Sequence, residues 1–284
     1  MLSGQFSRTA LGAAGHRATH QVLEGGRIFA DPLALPILGE DAEVMLAAAQ
    51  EDPARRGLRF FIAARSRIAE EAARQAIGEG ARQIVVLGAG LDTFAYRLEG
   101  LEGLEGKDGL RVFEVDHPAT QAEKRRRLAA ACIATPAHLT FAPCDFEHAE
   151  LGDSLRAVGF NPNRRAFLLW LGVVPYLTEK AIFATLGFIA KLPDGEVVFD
   201  YANPVETIAD PAMREHHRVM AERVAAAGEA FQSYFETPAL HEKLRALGFP
   251  EIEDLGPNEI AARFFPERAK PGRANGGHVV RAKI

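Results

Sequence analysis

Cysteine is scarce in this 284-residue chain, where Cys132 and Cys144 are the only two. Two thiols cannot build a disulfide framework, and their spacing matches no zinc-ligand pattern. The reading is a reducing, cytoplasmic compartment with no bound metal. Long apolar runs are missing too. The longest, Ala166 to Tyr176, spans 11 residues and contains Gly172 and Pro175, far short of the roughly 20 residues that cross a bilayer. The first 30 residues are interrupted by Gln5, Arg8, His16, Arg17, His20, Gln21, Glu24 and Arg27, so they form no apolar secretory signal. Positive charge is in deficit: 33 Lys and Arg against 38 Asp and Glu give a net charge of −5. No basic excess exists to attract nucleic acid or an anionic membrane surface.

Several catalytic signatures are also absent. There is no G-x-S-x-G nucleophile elbow and no G-x-x-x-x-G-K-[ST] phosphate loop. His148-Ala149-Glu150 is followed by no P-C-x-x-C, as a zinc deaminase requires. His216-His217 lacks the H-E-x-x-H spacing and reads as a solvated helix face, and His241 reads as structural. What is present is ordinary: 48% hydrophobic and 25% charged residues, the composition of soluble globular proteins. The length allows one large α/β domain or two small ones, and leaves a homo-oligomer open.

Residues 1–80 read as a helical cap. Ser7 to Glu24 is one helix, broken at Gly25-Gly26. Asp31-Pro32 is a plausible N-cap and first position for a short helix. Leu58, Phe61, Ile62, Ile68, Ala69, Ala72 and Ala73 recur at three- and four-residue spacing, which predicts an amphipathic helix over Gly57 to Ile77. The period then changes. Gln83 to Leu87 is a short apolar run ending at Gly88, as in a buried parallel strand. Strands follow at Arg111 to Val115, His138 to Ala142, Ala166 to Leu171 and Glu196 to Tyr201. Helices alternate with them at Ala119 to Ala131, Leu151 to Val158 and Thr178 to Lys191. This alternation over residues 81–201 predicts a doubly wound α/β core, a parallel sheet with helices on both faces. Residues 202–284 read as a helical insertion to about residue 247, a weak strand at Glu251 to Leu255, a short helix at Pro257 to Phe265, and an edge strand at His278 to Lys283. The whole reads as a single domain over 1–284.

In such sheets ligands bind beyond the carboxyl ends of the strands, so residues after each strand carry the information. After the first strand comes Gly88-Ala89-Gly90-Leu91-Asp92, either a plain tight turn or a loop that lets backbone approach a ligand. After the second comes Asp116-His117-Pro118. Asp116 is placed to accept from both ribose hydroxyls of a nucleotide, or to cap the next helix. After the third comes Asp145-Phe146, which suits an adenine amine and ring face, or a solvated turn beside a core aromatic.

Together these stretches resemble a known family. Gln83-Ile-Val-Val-Leu-Gly88-Ala-Gly90-Leu-Asp92-Thr-Phe-Ala-Tyr96-Arg97-Leu98 is similar to the leucine carboxyl methyltransferase-like class I S-adenosylmethionine-dependent methyltransferases, a group whose bacterial members include polyketide-type O-methyltransferases. So are Glu114-Val-Asp116-His-Pro118 through Lys124, Phe61-Ile-Ala-Ala-Arg65-Ser-Arg67, Ile28-Phe-Ala-Asp31-Pro32-Leu-Ala34 and Tyr176-Leu177. The resemblance covers about residues 8 to 265. It implies a Rossmann-like, mostly parallel seven-stranded sheet with a helical N-terminal extension, and S-adenosyl-L-methionine as cofactor. It also implies a methyl acceptor that is a small-molecule hydroxyl or a carboxylate. By the same resemblance Arg65 pairs with the methionyl carboxylate, while Gly88, Ala89 and Gly90 lie along the methionyl portion. Asp116, with His117 beside it, binds the ribose, and Asp145 and Phe146 contact the adenine. Many relatives carry a Glu where this chain has Leu171, the last residue before Gly172.

For the acceptor side, His16, Arg17, His20, Tyr176, Tyr201 and Tyr234 are candidates, with the N-terminal segment folding over the sheet edge as a lid. A carboxylate acceptor is already ionised at neutral pH and needs no base. Two other readings stay open. One is a non-catalytic S-adenosylmethionine-binding protein, motivated by Leu171. The other is a NAD(P)-dependent oxidoreductase, against which Thr93 replaces the third glycine of the dinucleotide fingerprint.

Overall fold

The computed structural model describes residues 6–98, 109–226, 228–266 and 275–284. Gln5, with the rest of residues 1–5, residues 99–108, 227 and 267–274, and the His216 side chain lie outside the described residues. Five parallel strands, β1 (Gln83–Leu87), β2 (Arg111–Asp116), β3 (Leu139–Pro143), β4 (Ala166–Trp170) and β5 (Glu196–Ala202), join β6 (Glu251–Leu255) and β7 (Gly277–Lys283) in one sheet. The strand order is β3-β2-β1-β4-β5-β7-β6, and β7 runs antiparallel to both β5 and β6. The order reverses between β1 and β4, which makes that edge the switch point where ligands bind.

Alternation along each strand builds the two faces. Val85 and Leu87 pack with Phe113, Val115, Leu168 and Trp170 on one side. Ile84 and Val86 pack with Val112, Phe167 and Leu169 on the other. Helices α6 (Leu151–Ala157), α7 (Glu179–Ile189) and α9 (Thr237–Leu247) cover the first face with Leu155, Leu186 and Leu240. The second is covered by α4 (Arg55–Gly78) and α10 (Pro257–Phe264). Small residues on α4, among them Ala63, Ala69 and Ala73, are fully buried against the sheet. Each large aliphatic side chain buried in these layers contributes about 1.5–3 kcal/mol. A third cluster joins α1 (Arg8–Leu23) and α2 (Ala34–Leu38) to Leu128 of α5 (Pro118–Ala130).

Four details differ from the sequence reading. The C-terminal strand is not an edge strand: β7 is paired on both sides, and Val279, Val280 and Ala282 are buried there, so the exposed edge falls to β6. The short helix starts at Ala34 rather than Pro32, because the Asp31 carboxylate is drawn into the interior by Arg17 and Thr93 and holds the Leu33 amide from outside the helix. A helix the periodicity does not announce, α3 (Asp41–Glu51), buries only Ala49. The stretch after β5 that reads as helical to about residue 247 holds, among the described residues, the α-helices α8 (Pro211–Ala226) and α9, and residues 229–236 between them have no regular secondary structure.

Candidate functional site

The carboxyl ends of β1, β2 and β4 surround a cavity of about 500 Å³. β1 ends at Gly88, where φ is +62° and a Cβ would run into Val173; only glycine meets both demands. The loop is fastened by Asp116 at the end of β2. Asp116 Oδ2 accepts from the Gly90 amide at 2.5 Å and Oδ1 from the His117 amide at 2.7 Å. Burial raises the Asp116 carboxyl above its ordinary range, while those two amides and Lys124 act against the shift. His117 closes the turn by accepting the Ala119 amide on Nδ1 at 3.2 Å, with Pro118 at the first helical position. After β3, Asp145 accepts from the Glu147 amide at 3.1 Å and pairs with His148 Nδ1 at 3.0 Å. Burial opposes these bonds, but they outweigh it and hold the Asp145 carboxyl below its usual value. Phe146 lies half-buried beside it. Arg65, Gly88, Ala89, Gly90, Asp116, His117, Asp145, Phe146 and Leu171 all line this one cavity.

Arg65 sits where the cavity meets a second space. Its Nη1 donates to Asp200 Oδ2 at 2.7 Å, and its Nε is buried with no hydrogen-bond partner. Asp200, on β5, also accepts from the Gly172 amide at 2.5 Å. Gly172 has φ of +72°, and a Cβ there would stand 2.6 Å from Arg65 Nη2. Sequence reasoning missed Asp200 because it falls inside a strand. Its signal is nonetheless the one used for Asp116, a carboxylate at the carboxyl end of a parallel strand. With Trp170 paired to Phe199, Leu171 and Asp200 are next in register, so a carboxylate stands one strand over from Leu171.

The second space, about 620 Å³, shares Thr9, Ala13, Arg65, Gly172 and Tyr176 with the first. Its walls come from α1, α4, α8 and the 229–236 connector, and are mostly apolar, including Leu58, Phe61, Met213, Met220 and Phe231. The connector is pinned over both spaces. Glu229 accepts from the Arg8 amide at 2.9 Å and the Thr9 amide at 3.0 Å, which caps α1, the favourable place for a carboxylate at a helix start. The Gln232 amide donates to Pro175 O at 2.7 Å, and the Phe231 ring lies 5.1 Å from that of Tyr176. Glu229 was also missed, since its segment reads as helix.

The acceptor-side candidates separate. His16 lines the second space and Arg17 the first, with Arg17 Nη2 donating to Leu91 O at 2.7 Å. Tyr176 borders both, its hydroxyl pushed up to about 12 by burial, and Tyr234 lines the second. His20 reaches neither: it is fully buried, with Nδ1 on Glu24 at 3.1 Å and Nε2 accepting the Ile28 amide at 3.3 Å. Tyr201 borders the second space, but its hydroxyl is held by Asp254 at 2.8 Å and Thr237 at 2.7 Å, and its ring stacks on His278.

The model of the leucine carboxyl methyltransferase family matches residues 10–190. The chain belongs to that family, and with it to the S-adenosylmethionine-dependent methyltransferases. YktD of Bacillus subtilis (strain 168), named as an S-adenosyl-L-methionine-dependent methyltransferase, is 39% identical over 192 residues, which is 66% of this chain and 60% of YktD. The chain thus spans less than two thirds of that relative's length. A Mycolicibacterium paratuberculosis protein named likewise is 29% identical over 233 residues, 76% of this chain and 69% of its own. Among solved structures, one titled as a methyltransferase from Thermobifida fusca has 18% identity and a TM-score of 0.57, covering 99% of this chain and 96% of its own. A DUF574 family protein from Streptomyces avermitilis has 19% identity and a TM-score of 0.56, covering 96% of each chain. Both show the fold. The family match includes α1 from its third residue on, the glycine loop, Asp116 and Asp145, but stops at residue 190. Asp200, α8, Glu229 and most of the second space's far wall lie beyond it. Among the described residues no helix of this family member is long and apolar enough to cross a membrane.

Proposed function

We propose that this chain transfers the methyl group of S-adenosylmethionine to an oxygen of a small molecule, a hydroxyl or a carboxylate. The observation that carries the reading is the junction of the two spaces across Thr9, Ala13, Arg65, Gly172 and Tyr176. One side offers strand-end carboxylates and a glycine loop, and the other an apolar chamber of ligand size.

The residues of the first space fit the cofactor. Asp116 keeps lone pairs beyond the two amides it accepts, enough for ribose hydroxyls. Asp145 accepts the adenine amine and Phe146 covers a ring face. Arg65, with a buried Nε left unpartnered, takes the methionyl carboxylate through a charge-assisted bond. Gly88, Ala89, Gly90, His117 and Leu171 complete the walls. When bound, the cofactor supplies an electrophilic methyl group on a sulfonium centre. The protein's share is orientation and exclusion of water. Asp200 fixes the Arg65 guanidinium and the Gly172 amide together, and the connector through Glu229 and Gln232 roofs the junction. Holding donor and acceptor ~3–3.5 Å apart in line lowers such a barrier by several kcal/mol.

Calorimetric titration with S-adenosylmethionine, S-adenosylhomocysteine and NADH, followed by transfer of labelled methyl to a panel of hydroxyl and carboxylate acceptors, tests this. Binding of the adenosyl ligands without NADH, and transfer to oxygen, is the expected result. Binding of NADH alone overturns the cofactor. Adenosyl binding without transfer to any acceptor leaves a non-catalytic binding protein.

A further inference from the structure

We infer that the acceptor is a neutral hydroxyl, phenolic or enolic, carried on an apolar body, and that His16 receives its proton as the methyl group arrives. This rests on the methyl-transfer reading above and narrows it.

The first observation is the helix face that links the two spaces. Thr9, Ala13 and His16 are spaced four and three residues apart, so they share one side of α1. Thr9 and Ala13 border both spaces, and His16, one step further, borders only the second. The second observation is the imidazole itself. His20, His117, His138, His148, His241 and His278 each spend a ring nitrogen on a protein partner. The half-buried His16 ring has no hydrogen-bond partner among the described residues.

The third observation selects hydroxyl over carboxylate. A carboxylate entering an apolar chamber sheds its hydration and needs a free cation in exchange. Arg65 is already held by Asp200, and Asp200 borders the chamber as a like charge. The other two arginines that line the chamber are Arg223, paired with Asp52 at 3.6 Å, and Arg8, which is exposed to solvent. A hydroxyl asks only for one acceptor, and an unpartnered ring nitrogen is one.

Burial, followed by the charges of Arg55, Arg59 and Arg65 on α4, lowers His16 to about 4, so its lone pair is free across the neutral range. The other charged or titratable groups around the chamber are Arg8 on α1, Asp200 and Tyr201 on β5, Tyr176 after β4, Tyr234 on the connector, and Asp210, His217 and Arg223 at α8. The arginines that keep His16 neutral also favour an oxyanion beside it, so the acceptor's acidity moves in the same direction as the base. In the step itself the acceptor O–H bond breaks and its proton passes to the free imidazole nitrogen. An oxygen lone pair forms the new bond to the methyl carbon, and the electrons of the broken carbon–sulfur bond stay on sulfur. The single positive charge ends on the imidazolium, which releases its proton to water.

A matched pair of acceptors tests this: 2-naphthol and 2-naphthoic acid, with methyl-labelled S-adenosylmethionine, from pH 5 to 9. Label is expected on 2-naphthol and not on 2-naphthoic acid. His16→Ala and His16→Gln are expected to lower kcat for 2-naphthol by about 100- to 10,000-fold, with S-adenosylhomocysteine affinity within twofold of wild type. The wild-type rate is expected to be level over this range, whereas the variants' residual rate climbs about tenfold per pH unit as the naphthol ionises. His16→Gln keeps size and hydrogen bonding but is no base, so a purely structural role would leave it active. Transfer to the acid instead of the naphthol overturns the inference, as does a wild-type rate in His16→Gln. So does no transfer to either probe while S-adenosylhomocysteine still binds. Failure of S-adenosylhomocysteine to bind overturns the underlying cofactor reading as well.

Discussion

Replacing Asp116 with alanine removes a carboxylate whose oxygens already hold the glycine loop. Oδ2 takes the Gly90 amide at 2.5 Å, Oδ1 takes the His117 amide at 2.7 Å, and the residue is only 7% exposed. The loss therefore falls on the ligand contact and on the loop that shapes the cavity. One hydrogen bond to a charged partner contributes about 1.5–3 kcal/mol. Losing the ligand contact alone thus raises Kd for S-adenosylhomocysteine by roughly 10- to 150-fold. Asp116→Asn is not expected to rescue it: an amide offers one oxygen and one NH2, so a donor would face either the Gly90 or the His117 amide. Burial raises the Asp116 carboxyl in the free protein, so its charged form is lost on acidification sooner than for an exposed aspartate. Affinity should be full above that raised value and fall as pH drops through it, and Asp116→Asn should lack this component. Isothermal titration of the three proteins between pH 4 and 8, with thermal melts to establish folding, reads all of these. An Asp116→Ala Kd within twofold of wild type would refute the assignment.

Gly12 borders the second space, and a Cβ there meets nothing within 4 Å. Gly12→Leu should fill the chamber, raise KM for apolar acceptors at least tenfold, and leave S-adenosylhomocysteine affinity unchanged; the helix gains about 1 kcal/mol in propensity, visible in the melt. Gly88→Ala places a Cβ against Val173 at positive φ, so calorimetry should show cofactor affinity falling at least tenfold. Asp254 accepts from Tyr201, His241 and His278; burial opposes ionisation, but these partners hold its carboxyl below the ordinary value. A depressed carboxyl stabilises the fold above its unfolded pKa of about 3.9 and loses that contribution as pH falls below it. Asp254→Asn should therefore destabilise by about 1.5–3 kcal/mol at neutral pH in denaturant titration, with the gap to wild type closing toward pH 3.

The parallel core was legible because strands buried on both faces are near-continuous apolar runs, as Gln83–Leu87 and Ala166–Trp170 are. β7 misled for the converse reason. Val279 and Val280 among polar residues look half-exposed locally, and only its pairing with β5 and β6 makes it interior. α3 went unseen because it buries only Ala49; Ala42 and Met45 on the same side are partly buried while the neighbouring Val44 is exposed, so its apolar residues mark no single face.

The two halves of the candidate site differ in the same way. Carboxylates that end parallel strands can be placed from the order of elements alone, since topology brings strand ends to one edge; hence Asp116 and Asp145. Asp200 obeys that rule too, and escaped only because β5 runs two residues past it. The chamber beyond Arg65 obeys no such rule. Its walls come from α1, α4, α8 and the connector, and any apolar side chains of suitable volume would serve there. The half-buried His16 ring stands in that wall with no hydrogen-bond partner among the described residues. Its meaning depends on Glu229, which sits more than two hundred residues away in the chain and, by capping the start of α1, sets the direction in which the face bearing Thr9, Ala13 and His16 runs from one space into the other. An acceptor-side candidate of the sequence thus takes its place between the two spaces through a contact that no local pattern encodes.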